Sequence, residues 1–160
     1  VPTEHVEATS PVRIEYREQI PDSGGAGEWR GGNGVRIALR SLAARPCAVT
    51  LQCERIQHPP KGSFGGHDAA AGRVTLNGQP VLAPKEQFVL RANDVLTLEL
   101  PGGGGFGNPL RRDPQAVLAD VQAGTISAAK AEEIFRVVLS PDGKRVDLEA
   151  TARCRAPATA

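Results

Sequence analysis

The chain has 160 residues, 40% hydrophobic and 23% charged, which fits one soluble globular domain with a modest core. Its 19 Lys and Arg nearly cancel 18 Asp and Glu, leaving a formal net charge of +1, and aromatics are only 4%. That balance excludes the basic field and base-stacking platforms of a nucleic-acid or anionic-membrane binder, and no apolar run nears the ~20 residues needed to span a bilayer.

Residues 1–20 read as extended. Within them Val12-Arg13-Ile14-Glu15-Tyr16-Arg17 alternates at the period of a half-buried strand, which Pro21 stops. Residues 21–34 form a glycine-rich loop carrying Gly24, Gly25, Gly27, Gly31, Gly32 and Gly34, and a second alternating strand follows at 35–40. A third strand is expected at 48–53, then an irregular loop from His58 to His67. Arg73 to Leu76 runs into Asn77-Gly78, a strong hairpin signal. Gln87 to Leu90 and Val95 to Leu100 add short strands around Asn93-Asp94.

Pro101-Gly102-Gly103-Gly104-Gly105 breaks this pattern, and the hydrophobic period changes after it. Asp113-Pro114 reads as a helix N-cap and first position, with Val117, Leu118 and Val121 on one helical face and Gly124 as the stop. Ser127 caps a second helix running through Phe135, with Lys130, Glu132 and Glu133 on its outer face. Val137 to Leu139, a turn at Pro141-Asp142-Gly143, and Arg145 to Leu148 form a hairpin; Glu149 to Arg155 is a helical turn, and 156–160 a frayed tail. The expected fold is therefore mainly β, sandwich- or barrel-like with glycine-rich loops (1–107), with a small α+β tail (108–160) of two short helices and a hairpin packed on it.

Cys47, Cys53 and Cys154 are odd in number and form no CxxC pair, so they suit neither a zinc site nor a disulfide framework. They read as free thiols of a reducing compartment, which places the chain in the cytoplasm. No stretch reads as a signal peptide. The chain starts at Val1 and contains no Met, which a cut product, an excised piece or an internal part of a longer gene product would each explain.

The glycine run 102–107 is followed by Asn108-Pro109, so it lacks the Lys and Ser/Thr of a nucleotide-binding P-loop and the helix of a dinucleotide fingerprint. Tight backbone packing explains it, and a substrate or phosphate contact through loop N–H groups at Gly103 and Gly104 is the rival reading. His58 and His67, with Asp68 adjacent, flank the second loop at no tight ligand spacing; solvated histidines are preferred to a metal site. No nucleophile elbow is present. Trp29, the one tryptophan, sits between Glu28 and Arg30 among glycines and is either an interface anchor or a loop-packing residue.

The series Pro21-Asp22-Ser23-Gly24-Gly25-Ala26-Gly27, Trp29-Arg30-Gly31-Gly32, Pro59-Pro60, Phe64-Gly65-Gly66, Gly72-Arg73 and Pro101 to Gly107 resembles the carboxyl-terminal part of the hydantoinase B/oxoprolinase family. The tail fits too, through Asp113-Pro114, Asp120-Val121, Gly124, Ser127 and Val137-Val138-Leu139, while Lys61, Ser63, Asn93 and Asn108 depart from the family pattern. The resemblance implies a longer parent subunit of the N-methylhydantoinase B type. It implies ATP-dependent hydrolysis of C–N bonds in hydantoins or 5-oxoproline, by phosphorylating an amide or enol oxygen before attack by water or a carbon acid.

The partners so implied are the missing amino-terminal part of the same subunit and a hydantoinase A-type subunit. ATP and a divalent metal are implied for the parent complex and no cofactor for this segment, which alone is expected to be inactive. Two alternatives stand beside this: a non-catalytic docking module for an A-type subunit, or part of an acetone-type carboxylase. Substrate- or interface-contact candidates are Trp29, Arg30, His58, Phe64, His67, Gly103, Gly104 and Phe106; no catalytic residue and no metal ligand is assigned.

Overall fold

A computed structural model describes residues 2–81 and 87–156. The expected frayed tail lies, beyond Ala156, outside the described residues. Contacts divide the chain into two compact units. The first is Val1–Gln19, Val35–Pro59 and Ala71–Pro101; the second is Ile20–Gly34, Pro60–Ala70 and Gly102–Ala160. The division at 107/108 follows the change of hydrophobic period along the chain. The units instead follow contacts, and they group the glycine-rich loops with the carboxyl-terminal helices.

In the first unit, α1 (Thr3–Thr9) precedes β1 (Val12–Gln19), β2 (Val35–Ser41), β3 (Cys47–Thr50), β4 (Arg73–Leu76), β5 (Gln79–Pro80), β6 (Gln87–Leu90) and β7 (Val95–Leu100). Residues 3–9 are thus helical where an extended start was expected. They show no period-2 alternation, and Ser10, held extended before Pro11, ends the helix. The third strand is also shorter than expected, ending at Thr50.

Five strands form an antiparallel sheet in the order β1-β2-β7-β4-β5, and β3 pairs with β6 in a second, two-stranded sheet. The mainly β class holds, but β1 and β5 are the two outer strands and do not pair with each other, so the larger sheet is not a closed barrel. Register fixes its two faces. Leu39 opposes Leu96, which opposes Leu76, and Leu98 opposes Val74, so one face is apolar. Both sheets contribute to one core, with Leu51, Val74, Leu90 and Leu96 buried and Cys47, Val49 and Phe88 packed against them. The opposite face carries Arg36 paired with Glu99 at 2.9 Å and Glu18 at 3.1 Å. Such part-exposed pairs add little stability. At the β4–β5 hairpin Asn77 and Gly78 have φ of 50° and 78°, the positive pair that a tight hairpin turn needs.

In the second unit a 3-10 turn (Pro109–Arg111) leads to α2 (Pro114–Gln122), α3 (Ala128–Glu133) and α4 (Leu148–Arg155). Asp113, Ser127 and Asp147 cap the three helices by accepting from Gln115, Lys130 and Ala150 N–H. The expected helix through Phe135 stops at Glu133, because Arg136 takes φ 50° and reverses the chain, burying both Phe135 and Val137. The hairpin is reduced to one bridge, Leu139 to Val146, and the expected turn at 149–155 is the full helix α4. Val117, Ala131, Phe135 and Val137, all at most 1% exposed, form the core with Ile126 and the loop residue Ala26. Among the described residues no helix is long and apolar enough to cross a membrane.

Candidate functional site

The three glycine-rich loops of the second unit pack backbone to backbone. Gly25 N–H donates to Gly103 O (2.9 Å), Gly103 N–H to Gly32 O (2.9 Å), Ser63 N–H to Gly105 O (2.9 Å) and His67 N–H to Ala26 O (2.7 Å). The approach excludes side chains: a Cβ on Gly104 would lie 2.1 Å from Lys61 O. Gly103, Gly105, Phe106 and Gly107 each commit their N–H to a backbone carbonyl, so at those positions the loop packs rather than offering donors to an anion.

This scaffold presents three aromatic side chains. Trp29 and Phe106 exchange backbone hydrogen bonds of 3.0 and 2.8 Å across an antiparallel bridge, which puts their side chains on one face. Ser63 bridges to Phe106, and the Phe64 ring stands 4.9 Å from the Phe106 ring. Trp29 is 68% exposed, Phe64 83% and Phe106 48%. Phe64 also holds φ at 52°, a left-handed conformation uncommon outside glycine.

Behind the loops lies a charged network that the sequence reading missed. The Asp120 carboxylate sits 2.9 Å from Arg30 Nε and 2.8 Å from Arg112 Nη2, the three side chains being only 13–20% exposed. Arg30 Nε is not aligned for a hydrogen bond, so that contact is an ion pair alone. Arg112 Nη1 also donates to Glu28 O, and Arg155 Nη1 to Arg112 O. Burial pulls the Arg155 pKa down, against the opposing charge of Asp113. The available signal was phase: Asp120 falls three residues after Val117, in line with the buried stripe of α2.

Lys130, expected on the outer face of α3, instead turns inward and donates to Asp22 O (2.6 Å) and Gly24 O (3.0 Å). Burial lowers its pKa below the usual lysine range; Asp22 opposes this and Arg30 reinforces it. A lysine depressed in the folded state binds fewer protons there than when unfolded. Stability should therefore rise with pH as it climbs from the depressed value towards the ordinary one. Chemical denaturation of wild type and Lys130→Met across the alkaline range checks this: the slope attributable to this group should vanish in the variant. A neutral lysine amine keeps two donors, enough for both carbonyls.

The remaining candidates separate. His58 is exposed and belongs to the first unit, apart from the loop cluster. His67 is exposed and, with Phe64, Leu110, Glu133, Ile134 and Arg136, lines a cleft of about 550 Å³. Asp68 is held by Lys61 Nζ (2.7 Å) and Gly62 N–H (2.9 Å), which lower its pKa, Lys61 having the larger effect. Among the described residues no group of three or more His, Cys, Asp and Glu is placed to hold a metal ion. The described residues thus offer no ligand set that fits the divalent metal implied for the parent. Cys47, Cys53 and Cys154 are free thiols, and burial raises the Cys53 pKa.

The hydantoinase B/oxoprolinase family model matches residues 1–109. The chain is 35% identical over 165 residues to the caprolactamase subunit beta of Pseudomonas jessenii, covering 96% of this chain and 27% of that protein. The crystal structure of the ATP-dependent caprolactamase from Pseudomonas jessenii superposes with a TM-score of 0.79 at 30% identity, over 98% of this chain and 28% of that one. A nucleotide-free acetone carboxylase shares the fold, with a TM-score of 0.76 at 24% identity over 97% of this chain and 26% of that one. The chain thus spans about a quarter of the length of relatives such as the caprolactamase subunit beta, and less than a tenth of the 5-oxoprolinases it matches. With that family model matching residues 1–109 of 160 and relatives of 30–35% identity matching 96% of its length, the chain belongs to the hydantoinase B/oxoprolinase family.

Proposed function

We propose that this chain is the carboxyl-terminal part of a longer subunit of an ATP-dependent enzyme that hydrolyses cyclic amides such as lactams, hydantoins or 5-oxoproline. The observation that carries the reading is the 35% identity with a caprolactamase beta subunit, sustained along 96% of the chain. The likeness to acetone carboxylase, at 24% identity, is one of fold, and ring-opening hydrolysis is preferred over carboxylation on that difference.

In this reading the parent works in the cytoplasm with an A-type partner subunit, and ATP and any divalent metal are held outside residues 1–160. The segment completes the fold and supplies contact residues. Trp29, Phe64 and Phe106 are its exposed contacts, with His67 beside them. Arg30 positions the Trp29 loop through Asp120, Gly103 and Gly104 hold the loops together, and His58 is a separate surface contact.

The test is an assay of the parent subunit co-expressed with its A-type partner. ATP-dependent opening of a lactam, hydantoin or 5-oxoproline ring, with phosphate release, is expected, and residues 1–160 alone should show neither ring opening nor ATP hydrolysis. Bicarbonate-dependent carboxylation of a ketone without ring opening would replace this reading with the carboxylase one.

A further inference from the structure

We infer that the Trp29–Phe106–Phe64 stripe is the surface on which the rest of the same polypeptide docks in the longer subunit. The inference rests on the reading of this chain as part of such a subunit. The chain has only six aromatic residues, and these three form one exposed row. Tryptophan and phenylalanine are enriched in buried interface centres, and contiguous exposed apolar patches mark interaction sites.

The backbone argues the same way. Phe64 takes a left-handed φ of 52° although the residue is 83% exposed. Its one ring contact among the described residues is the tilted one with Phe106. Strain of this kind persists where surrounding structure enforces it, and it clusters at sites that bind. The Ser63 bridge to Phe106 and the donation of Gly107 N–H to Ser63 O enforce it here, holding the ring outward. Three rings on a hydrogen-bonded glycine scaffold lose little conformational entropy on contact, as an anchoring surface requires.

The neighbouring cleft completes an interface anatomy. Phe64, Leu110 and Ile134 give it apolar walls, and His67, Glu133 and Arg136 give it a polar rim. Its volume, about 550 Å³, would admit a large apolar side chain from the covering segment.

Length selects the occupant. The caprolactamase chain contains this fold as 28% of its length, so most of such a subunit lies outside the part seen here. A covalently linked body meets the stripe at high effective concentration, so three aromatics suffice where a free partner would need a larger patch. The occupant is therefore an apolar segment of the same chain, not a second copy or a separate subunit.

The experiment uses the full-length subunit encoded by the source gene. Phe64→Cys and Trp29→Cys are labelled with a maleimide beside Lys144→Cys, which lies in an exposed turn, and rates are read peptide by peptide by mass spectrometry. Labelling at 64 and 29 should be at least about tenfold slower than at 144, because an open form populated below about one part in ten reacts in proportion. The protection should not change with protein concentration. Hydroxyl-radical oxidation of native Trp29 and Phe64 gives the same reading without a substitution.

Rates at 64 and 29 equal to that at 144 overturn the proposal. So does protection that is lost on dilution, which assigns the stripe to a second copy, or protection gained only with the A-type subunit, which assigns it to that partner. The intact mass of the same sample separates these failures from failure of the underlying reading.

Discussion

Asp120→Ala should destabilise the protein by about 3–5 kcal/mol, the cost of removing one partner from a buried ion pair. The carboxylate stands between two guanidinium groups, at 2.9 Å from Arg30 Nε and 2.8 Å from Arg112 Nη2, and all three side chains are at least four-fifths buried. Without it, two cations remain in a poorly solvated space where Arg30 Nε, Arg112 Nε and Arg155 Nη2 already lack hydrogen-bond partners. A domain of this size is stable by only about 5–15 kcal/mol, so the loss is a large share of the whole. Asp120→Asn keeps an acceptor and should fall between wild type and Asp120→Ala. Glu149→Ala, at the end of an exposed pair with Arg153, should change stability by less than about 0.5 kcal/mol. Urea denaturation of the three variants checks the order. Equal effects for Asp120→Ala and Glu149→Ala would mean the network is not buried in solution.

The second large effect separates two adjacent glycines. Gly104→Ala places a methyl 2.1 Å from Lys61 O and 2.5 Å from its carbon, so two backbone segments must part. The expected loss is about 3 kcal/mol, at the upper end for overpacking, because the obstacle is backbone that cannot rotate away. Gly103→Ala meets nothing nearer than 3.5 Å, an ordinary contact, and should stay within about 1 kcal/mol of wild type, since removing a glycine also restricts the unfolded chain. Thermal unfolding of both variants tests this. A Gly103→Ala protein as unstable as Gly104→Ala would show that the loops lie in a different register.

Features set by neighbours in the sequence were legible in it. Alternation announced β1 and β2, Asn77-Gly78 announced the β4–β5 hairpin through its two positive φ angles, and Asp113-Pro114 and Ser127 announced the helix starts. Elements fixed by distant contacts were not. Lys130 looks like a surface residue of α3 until Asp22 and Gly24 arrive from a loop more than a hundred residues away. Trp29 was ambiguous for the same reason: its bridge to Phe106 spans two glycine runs whose own sequences carry no period. The helix α1 escaped because seven residues hold too little pattern to outweigh the strand beside them.

For the candidate site, the glycine-rich loops and their aromatics were visible as a family series and tight backbone packing of the glycine run was expected, but which loop packs on which was not legible. His58 and His67 flank one loop in sequence, yet they fall in different compact units, because Pro60 opens the segment that joins the second unit. Sequence proximity across a proline-glycine loop is a poor guide to which side chains share a surface.

The central claim is that these residues are one part of a longer hydantoinase B-type subunit. The intact mass of the protein isolated from its source organism tests it most directly. The account predicts a mass several times 16.8 kDa, with peptides of residues 1–160 recovered from that same species. A mass near 16.8 kDa would contradict it and leave a free-standing module.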